Sequence, residues 1–301
     1  MDSALFLNQV FNGFSVASLY LLAALGLSLS FGLMRVINMA HGEMLMLGGY
    51  LAFLTLSIIP GFVGLLLAIV VAFIGAALVG SVIQSALIRR LTSRPLDTLL
   101  ATWGVSLILQ QAARDIFGPI GVEVQAPAWL NASIQLRDGA LAGLTIPSAR
   151  LFILLVMALV LGGLALLLTK TRIGLMVRAS NQDRMMAAAT GIDVKRVDLA
   201  VFCLGSGIAG LAGVVLALLG PVTPSVGQSY IVPAFLVVVM GGLGSILGTT
   251  LSALILGLIA ALSQIFVDVS IAQVLLLVFV IFFIQVRPQG VIAPTSRALD
   301  F

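Results

Sequence analysis

Asn38-Met39-Ala40-His41-Gly42-Glu43 lies between two apolar runs, roughly residues 8–33 and 44–59, and contains the only histidine of the chain. An ionisable group at membrane depth costs about 2.5–3.5 kcal/mol on insertion scales, so it usually faces a bundle interior or an aqueous path. Taken singly, Asn38 and His41 either cap and cross-link helix ends at a membrane surface or line a path. Three polar groups within six residues, followed by Met44-Leu45-Met46-Leu47-Gly48-Gly49-Tyr50, favour a path element.

The rest of the chain agrees with a membrane setting. Its 301 residues are 61% hydrophobic and only 9% charged, against about 25% charged in soluble domains. The apolar segments are long and continuous, which predicts helices over the short alternating strands of a barrel. The first apolar run is too long for a removable signal and leads into further membrane segments. Cys203 lies in an apolar run with no second cysteine to pair with, so it reads as packing.

Spans are expected near 8–33, 39–59, 62–88, 96–117, 149–168, 197–219, 231–247, 249–266 and 270–286. The 231–266 stretch forms either two short helices around Gly241-Gly242-Leu243-Gly244 or broken, re-entrant pieces. Basic residues orient the chain. With the N-terminus outside, twelve of the fifteen Lys and Arg fall inside: Arg35, Arg89, Arg90, Arg94, Lys170, Arg172, Arg178, Arg184, Lys195, Arg196, Arg287 and Arg297. Arg114, Arg137 and Arg150 remain outside. The expected fold is an all-α polytopic transmembrane bundle of about 8–9 spans, N-terminus outside and C-terminus in the cytoplasm, forming one domain over 1–301.

Two loops exceed what connection requires. The outer one, about 118–148, holds Pro119, Pro127, Trp129 and Pro147; it caps the outer mouth, docks a soluble partner, or is a plain ordered loop. The inner one, about 169–196, contains Met185-Met186-Ala187-Ala188-Ala189 between basic flanks. Ser180 or Asn181 can cap a helix there, Asp183 suits its first turn, and Gly191 can end it. Such a helix lies in the interface or fits a partner's groove, and the partner is preferred.

Candidate solute contacts lie on the fourth span. Thr102, Ser106, Gln110 and Arg114 recur every fourth residue, a step that drifts only about 40° around a helix. One stripe of hydroxyls, an amide and a guanidinium, with Trp103 beside it, suits a small hydrogen-bonding solute. Interhelical hydrogen bonding is the plain alternative, and for Thr102 and Ser106 taken singly it is preferred. Gly205, Gly207, Gly210 and Gly213, then Gly241, Gly242, Gly244 and Gly248, read as close packing. The residues at Pro221, Pro224 and Pro233 bracket a polar turn, 223–230, that either enters the membrane or is a loop. No phosphate loop and no His-Glu-x-x-His zinc motif occurs, so neither a metal site nor catalytic residues are expected. The formal charge of +4 is accounted for by the inner loops and does not indicate nucleic acid.

The stretches NMAHGEMLMLGGYLA (38–52), TRIGLMVRASNQDRMMAAATGIDVKRV (171–197) and GGLGSILGT (241–249), in this order, resemble the permease subunits of branched-chain amino acid-type ABC importers. RPLDTLLATWGVSLILQQAARDIFG (94–118) is similar to the urea-importer branch. The resemblance implies a bacterial inner-membrane transport subunit with no catalysis of its own. It also implies a homologous second permease, two cytosolic ATPases that hold ATP and Mg, and an extracytoplasmic solute-binding protein. It assigns 171–197 to transmitting ATPase motion, with Asn181 to Ala189 as the coupling helix and Asn181, Asp183, Met185, Met186, Ala188 and Gly191 as the coupling residues. The expected solute is urea, entering past Asn38, His41, Glu43, Thr102, Trp103, Ser106, Gln110 and Arg114, with branched-chain or other amino acids as the alternative. A channel or proton-coupled carrier using His41 and Glu43, and an intramembrane enzyme, are competing classes.

Overall fold

The computed structural model describes residues 3–34, 36–92, 94–135 and 145–292. Arg35, Arg137 and Arg297, used above to orient the chain, lie outside them. Among the described residues eleven helices form: α1 Ser3–Met34, α2 His41–Ile58, α3 Phe62–Leu91, α4 Pro95–Phe117, α5 Ser148–Lys170, α6 Arg172–Gln182, α7 Arg184–Ala189, α8 Val194–Ala217, α9 Val226–Gly241, α10 Ile246–Ser263 and α11 Val269–Val286. The last turns of α3 pass through a π-helical stretch at Gln84–Ile88. Six helices, α1, α3, α5, α8, α10 and α11, are long and apolar enough to cross a membrane. The chain is an all-α polytopic membrane bundle.

Small residues build the core. Without a hydrophobic drive between helices in lipid, close backbone approach supplies the packing. The central helix α8 places Gly205 against α1, Gly207 against Phe73 of α3, Gly210 against Ala72 of α3, and Gly213 against Leu45 of α2. A Cβ on Gly205 would stand 2.6 Å from the Gly26 carbonyl oxygen, and the converse contact is closer still. The glycine stretch in α8 thus packs as its sequence suggests.

Two helices begin inside the bundle. After α1 the chain doubles back, and His41 at the start of α2 bonds to Ala23, roughly 16 Å up α1 from Met34. After α8 the chain doubles back in the opposite sense, and α9 starts where Gly227 meets Gly42. The reciprocal contacts Gly26–Gly205 and Gly42–Gly227 relate α1 and α2 to α8 and α9 as an inverted pair. The outer partners follow suit. Gly32, Ser28 and Ala17 of α1 meet Gly244, Thr249 and Gly257, so α10 runs antiparallel to α1, as α3 does to α8.

Several boundaries differ from expectation. The spans expected at 231–247 and 249–266 are α9 at Val226–Gly241 and α10 at Ile246–Ser263. The break falls at Gly242 and Gly244, whose φ values of +96° and +87° favour glycine. The segment 289–292 closes over that break, Val291 N–H donating to the Met240 carbonyl. Five of the eight residues of the polar turn expected at 223–230 are already helix. The loop after α4 carries a short antiparallel pair, β1 Ser133–Gln135 with β2 Thr145–Pro147, and Val122 bridges to Val222. Trp129 packs edge-on against Phe62 and Phe152, fixing that loop to the α3 and α5 ends.

Candidate functional site

The first turn of α2 is the polar centre of the bundle. Asn38, His41 and Glu43 are buried. Asn38 Oδ1 accepts from Ala40 N–H at 3.1 Å, and His41 Nε2 donates to the Ala23 carbonyl at 3.1 Å. Asn38 thus closes a turn ahead of α2 and does not cap it, since the N-cap is Ala40 with no side-chain cap; His41 does cross-link α2 to α1, inside the bundle and not at a membrane surface. Glu43 Oε1 accepts from Ser106 Oγ and Gln110 Nε2, both at 2.8 Å, and Gln110 also donates to Ser106 at 3.1 Å. Thr102 Oγ1 accepts from Met39 N–H at 3.1 Å.

The stripe on α4 thus meets the start of α2, and Thr102, Ser106 and Gln110 are buried in that seam. The helix phase explains which member of the stripe drops out. Twelve residues beyond Thr102 the drift reaches about 120°, which carries Arg114 off the face. Arg114 is exposed, the buried position there is Ala113, and Trp103 also faces outward at 48% exposure. The structure brings together Glu43, Thr102, Ser106 and Gln110 and leaves Trp103 and Arg114 outside. Tyr50 stacks on Phe117 at 4.2 Å and pins the far end of α4 to α2.

Some buried polar atoms remain without partners among the described residues: Glu43 Oε2, Asn38 Nδ2 and the Tyr50 hydroxyl. Glu43 Oε2 lies against Gly227, where an added Cβ would come within 2.9 Å of it. Asn38 borders a 220 Å³ cavity between α4 and α9, otherwise lined by apolar groups such as Leu27, Met39, Leu99, Ile231 and Phe235.

The second assembly sits at the end where α1 finishes and α8 begins. Asp183, not Ser180 or Asn181, caps α7: its Oδ1 accepts from Met185 and Met186 N–H, both at 2.9 Å. Asn181 belongs to α6, and Ser180 is buried there. Gly191, at φ +90°, ends the segment. Met185 and Met186 are 86% and 63% exposed, and Ala188 is exposed beside the buried Ala187. Arg184 forms a two-pronged bond to Asp198, at 2.6 and 3.2 Å, and donates to the Leu33 carbonyl at 2.9 Å. This clamp, tying α7 to α1 and α8, was missed in the sequence; an aspartate about one turn into α8, at the edge of its apolar run, was its signal. No group of three His, Cys, Asp or Glu side chains among the described residues is placed to hold a metal ion.

The fold is a many-helix membrane bundle with two helices starting inside it and a capped apolar helix at one end. The family comparison is specific: residues 9–285 match the family described as Branched-chain amino acid transport system / permease component, and the chain belongs to it. The chain is 30% identical to the high-affinity branched-chain amino acid transport system permease protein BraD of Pseudomonas aeruginosa, over 95% of both chains. It is likewise 30% identical to LivH of Salmonella typhimurium, of the same description, again over 95% of both. A probable branched-chain amino acid transport permease protein LivH from Methanocaldococcus jannaschii is 32% identical over 80% of this chain and 76% of its own. No solved structure matches.

Proposed function

We propose that this chain is the permease subunit of an ATP-driven importer of branched-chain amino acids in the cytoplasmic membrane. The family match over nearly the whole chain carries that reading. The subunit hydrolyses nothing itself; separate ATPase chains, holding ATP and Mg, drive it, and an extracytoplasmic binding protein delivers the solute. A second permease of the same type completes the pair. Helix order supports an N-terminus outside: the α1–α2, α3–α4, α5–α8 and α9–α10 connections share one end of the bundle, and most described Lys and Arg lie there.

Urea, suggested by the resemblance at 94–118, loses its physical support. The hydroxyls and amide expected to meet it are turned onto Glu43 and Met39. The names of the relatives point to amino acids. The test is reconstitution with the neighbouring permease, ATPases and binding protein, followed by ATP-dependent uptake of labelled leucine and labelled urea. Leucine uptake is expected. Urea uptake alone would overturn the solute, and uptake by this chain without ATPases would overturn the machinery.

For coupling, α7 is the segment that meets the ATPase, with Asp183 and Gly191 fixing its ends and Met185, Met186 and Ala188 offering the surface. Met185→Glu and Ala188→Glu are expected to lose ATPase association while membrane insertion persists. Unchanged ATP-driven uptake in both variants would remove α7 from that role.

A further inference from the structure

The start of α9 faces a second cavity, of 290 Å³, bounded by α1, α9, α10 and α11. Five polar side chains line one part of it: Tyr20, Gln228, Ser229, Ser270 and Gln273. None of the five has a side-chain hydrogen-bond partner among the described residues. A sixth polar group joins them. Pro233 sits inside α9 and has no N–H, so the Ser229 carbonyl lacks its usual helical donor. The remaining wall is aliphatic, from Val232, Leu236, Leu256, Val274 and Leu277.

The cavity runs from the middle of α1, at Tyr20, to the first five residues of α11, which hold Ser270 and Gln273. Tyr20 is about 21 Å along α1 from Met34, in the middle of a 32-residue helix. Hydroxyls and amides at that level are costly against hydrocarbon and normally line a cavity or a protein contact. Gln228, Ser229, Ser270 and Gln273 nevertheless lie exposed on the surface of this chain. No charged residue borders the cavity, which disfavours an ion and suits a solute of no net charge.

We propose that this crevice is the solute-binding subsite of the permease and that it takes an aliphatic amino acid as its zwitterion. The proposal rests on the import reading above. Hydroxyl and amide N–H groups of Tyr20, Ser270, Gln228 and Gln273 donate to the carboxylate. The Ser229 carbonyl and the amide oxygens accept from the ammonium group. Val232, Leu236, Val274 and Leu277 receive the side chain. A few placed polar groups over an apolar wall is the usual make-up of a small-molecule site.

The experiment uses the complete reconstituted importer. Wild-type leucine uptake is measured first; if there is none, the import reading fails and the subsite is not reached. Given uptake, Gln273→Leu is expected to lower the maximal rate about tenfold, and Val274→Trp to shift the leucine-to-alanine rate ratio about tenfold toward alanine. Labelling gives a readout independent of turnover. With Cys203→Ser as background, Ser270→Cys should react with a charged, water-soluble thiol reagent, and leucine should slow that reaction. Unchanged rates and ratio in both variants, with labelling indifferent to leucine, would overturn the subsite. Reaction only with a lipid-soluble maleimide would overturn it too, by assigning the crevice to a lipid chain.

Discussion

Helices α2 and α9 both begin inside the bundle and touch at Gly42 and Gly227, yet their first turns treat polar groups in opposite ways. Around α2, Asn38 accepts from Ala40 N–H, His41 bonds to Ala23, and Glu43 collects Ser106 and Gln110. Around α9, the Gln228 and Ser229 side chains bond to nothing in the described chain. The cluster that stands out in the sequence is largely spent on joining helices. The quieter stretch keeps its hydrogen-bonding capacity for something else. Mutually satisfied buried polar groups rigidify a structure. At the start of α2 only Glu43 Oε2 and Asn38 Nδ2 stay buried without partners among the described residues, whereas on the α9 side Gln228 and Ser229 are free and exposed.

The contact between the two first turns offers the hardest break. Gly227→Leu is expected to cost about 3 kcal/mol, the upper end for overpacking, because the added side chain meets the Gly42 backbone. Thermal unfolding in detergent reads the effect. Gly104→Ala is the control: open space surrounds it, and a change within about 0.5 kcal/mol is expected. Equal stabilities for the two variants would mean that the α2–α9 contact does not hold the bundle.

Removing the acceptor at the α2 side comes next. Glu43→Ala strands Ser106 and Gln110 and is expected to destabilise by about 1–3 kcal/mol. Glu43→Gln keeps an acceptor oxygen and should cost less than half as much. Equal losses would show that the negative charge matters at this position and the acceptor does not.

Single donors weigh less. Gln110→Leu is expected to cost about 0.6–1.7 kcal/mol, the range for hydrogen bonds between membrane helices, and to add little once Glu43 is already alanine. Additive losses would mean that Gln110 acts through another contact.

The smallest stability effect belongs to the α9 side. Gln228→Leu has no partner to abandon, so unfolding should shift by no more than about 0.5 kcal/mol while leucine uptake falls. A loss of stability as large as that of Gln110→Leu would erase the contrast between the two turns.

Much of the fold was legible from sequence. The nine apolar segments, the glycine packing of α8, and the helix at 184–189 all reflect local patterns. The break between α9 and α10 was anticipated around Gly241–Gly244, but α9 starts five residues before its expected beginning at 231, since helix can begin in a polar, proline-flanked stretch when Gly227 packs on Gly42. The site was less legible. Thr102, Ser106 and Gln110 were found by their spacing, but spacing does not say what a face meets. Arg114 entered the stripe because a four-residue step was followed once too often. Asp183 was placed two or three positions too far into its helix, since the competing caps Ser180 and Asn181 lie at the end of α6. Tyr20, Ser270 and Gln273 were not singled out, because they sit on helices α1 and α11, distant in sequence from α9.

The sequence by itself determined that the chain is a helical membrane protein and roughly where its helices lie. Those properties follow from runs of apolar residues and from the need of a buried backbone to bond within its own helix. Only the tertiary structure decided which polar groups are satisfied and which are free. Glu43 finds its donors 63 and 67 residues away, and Gln228 finds none. Pairings at such separations depend on how helices cross, which no local pattern of residues specifies.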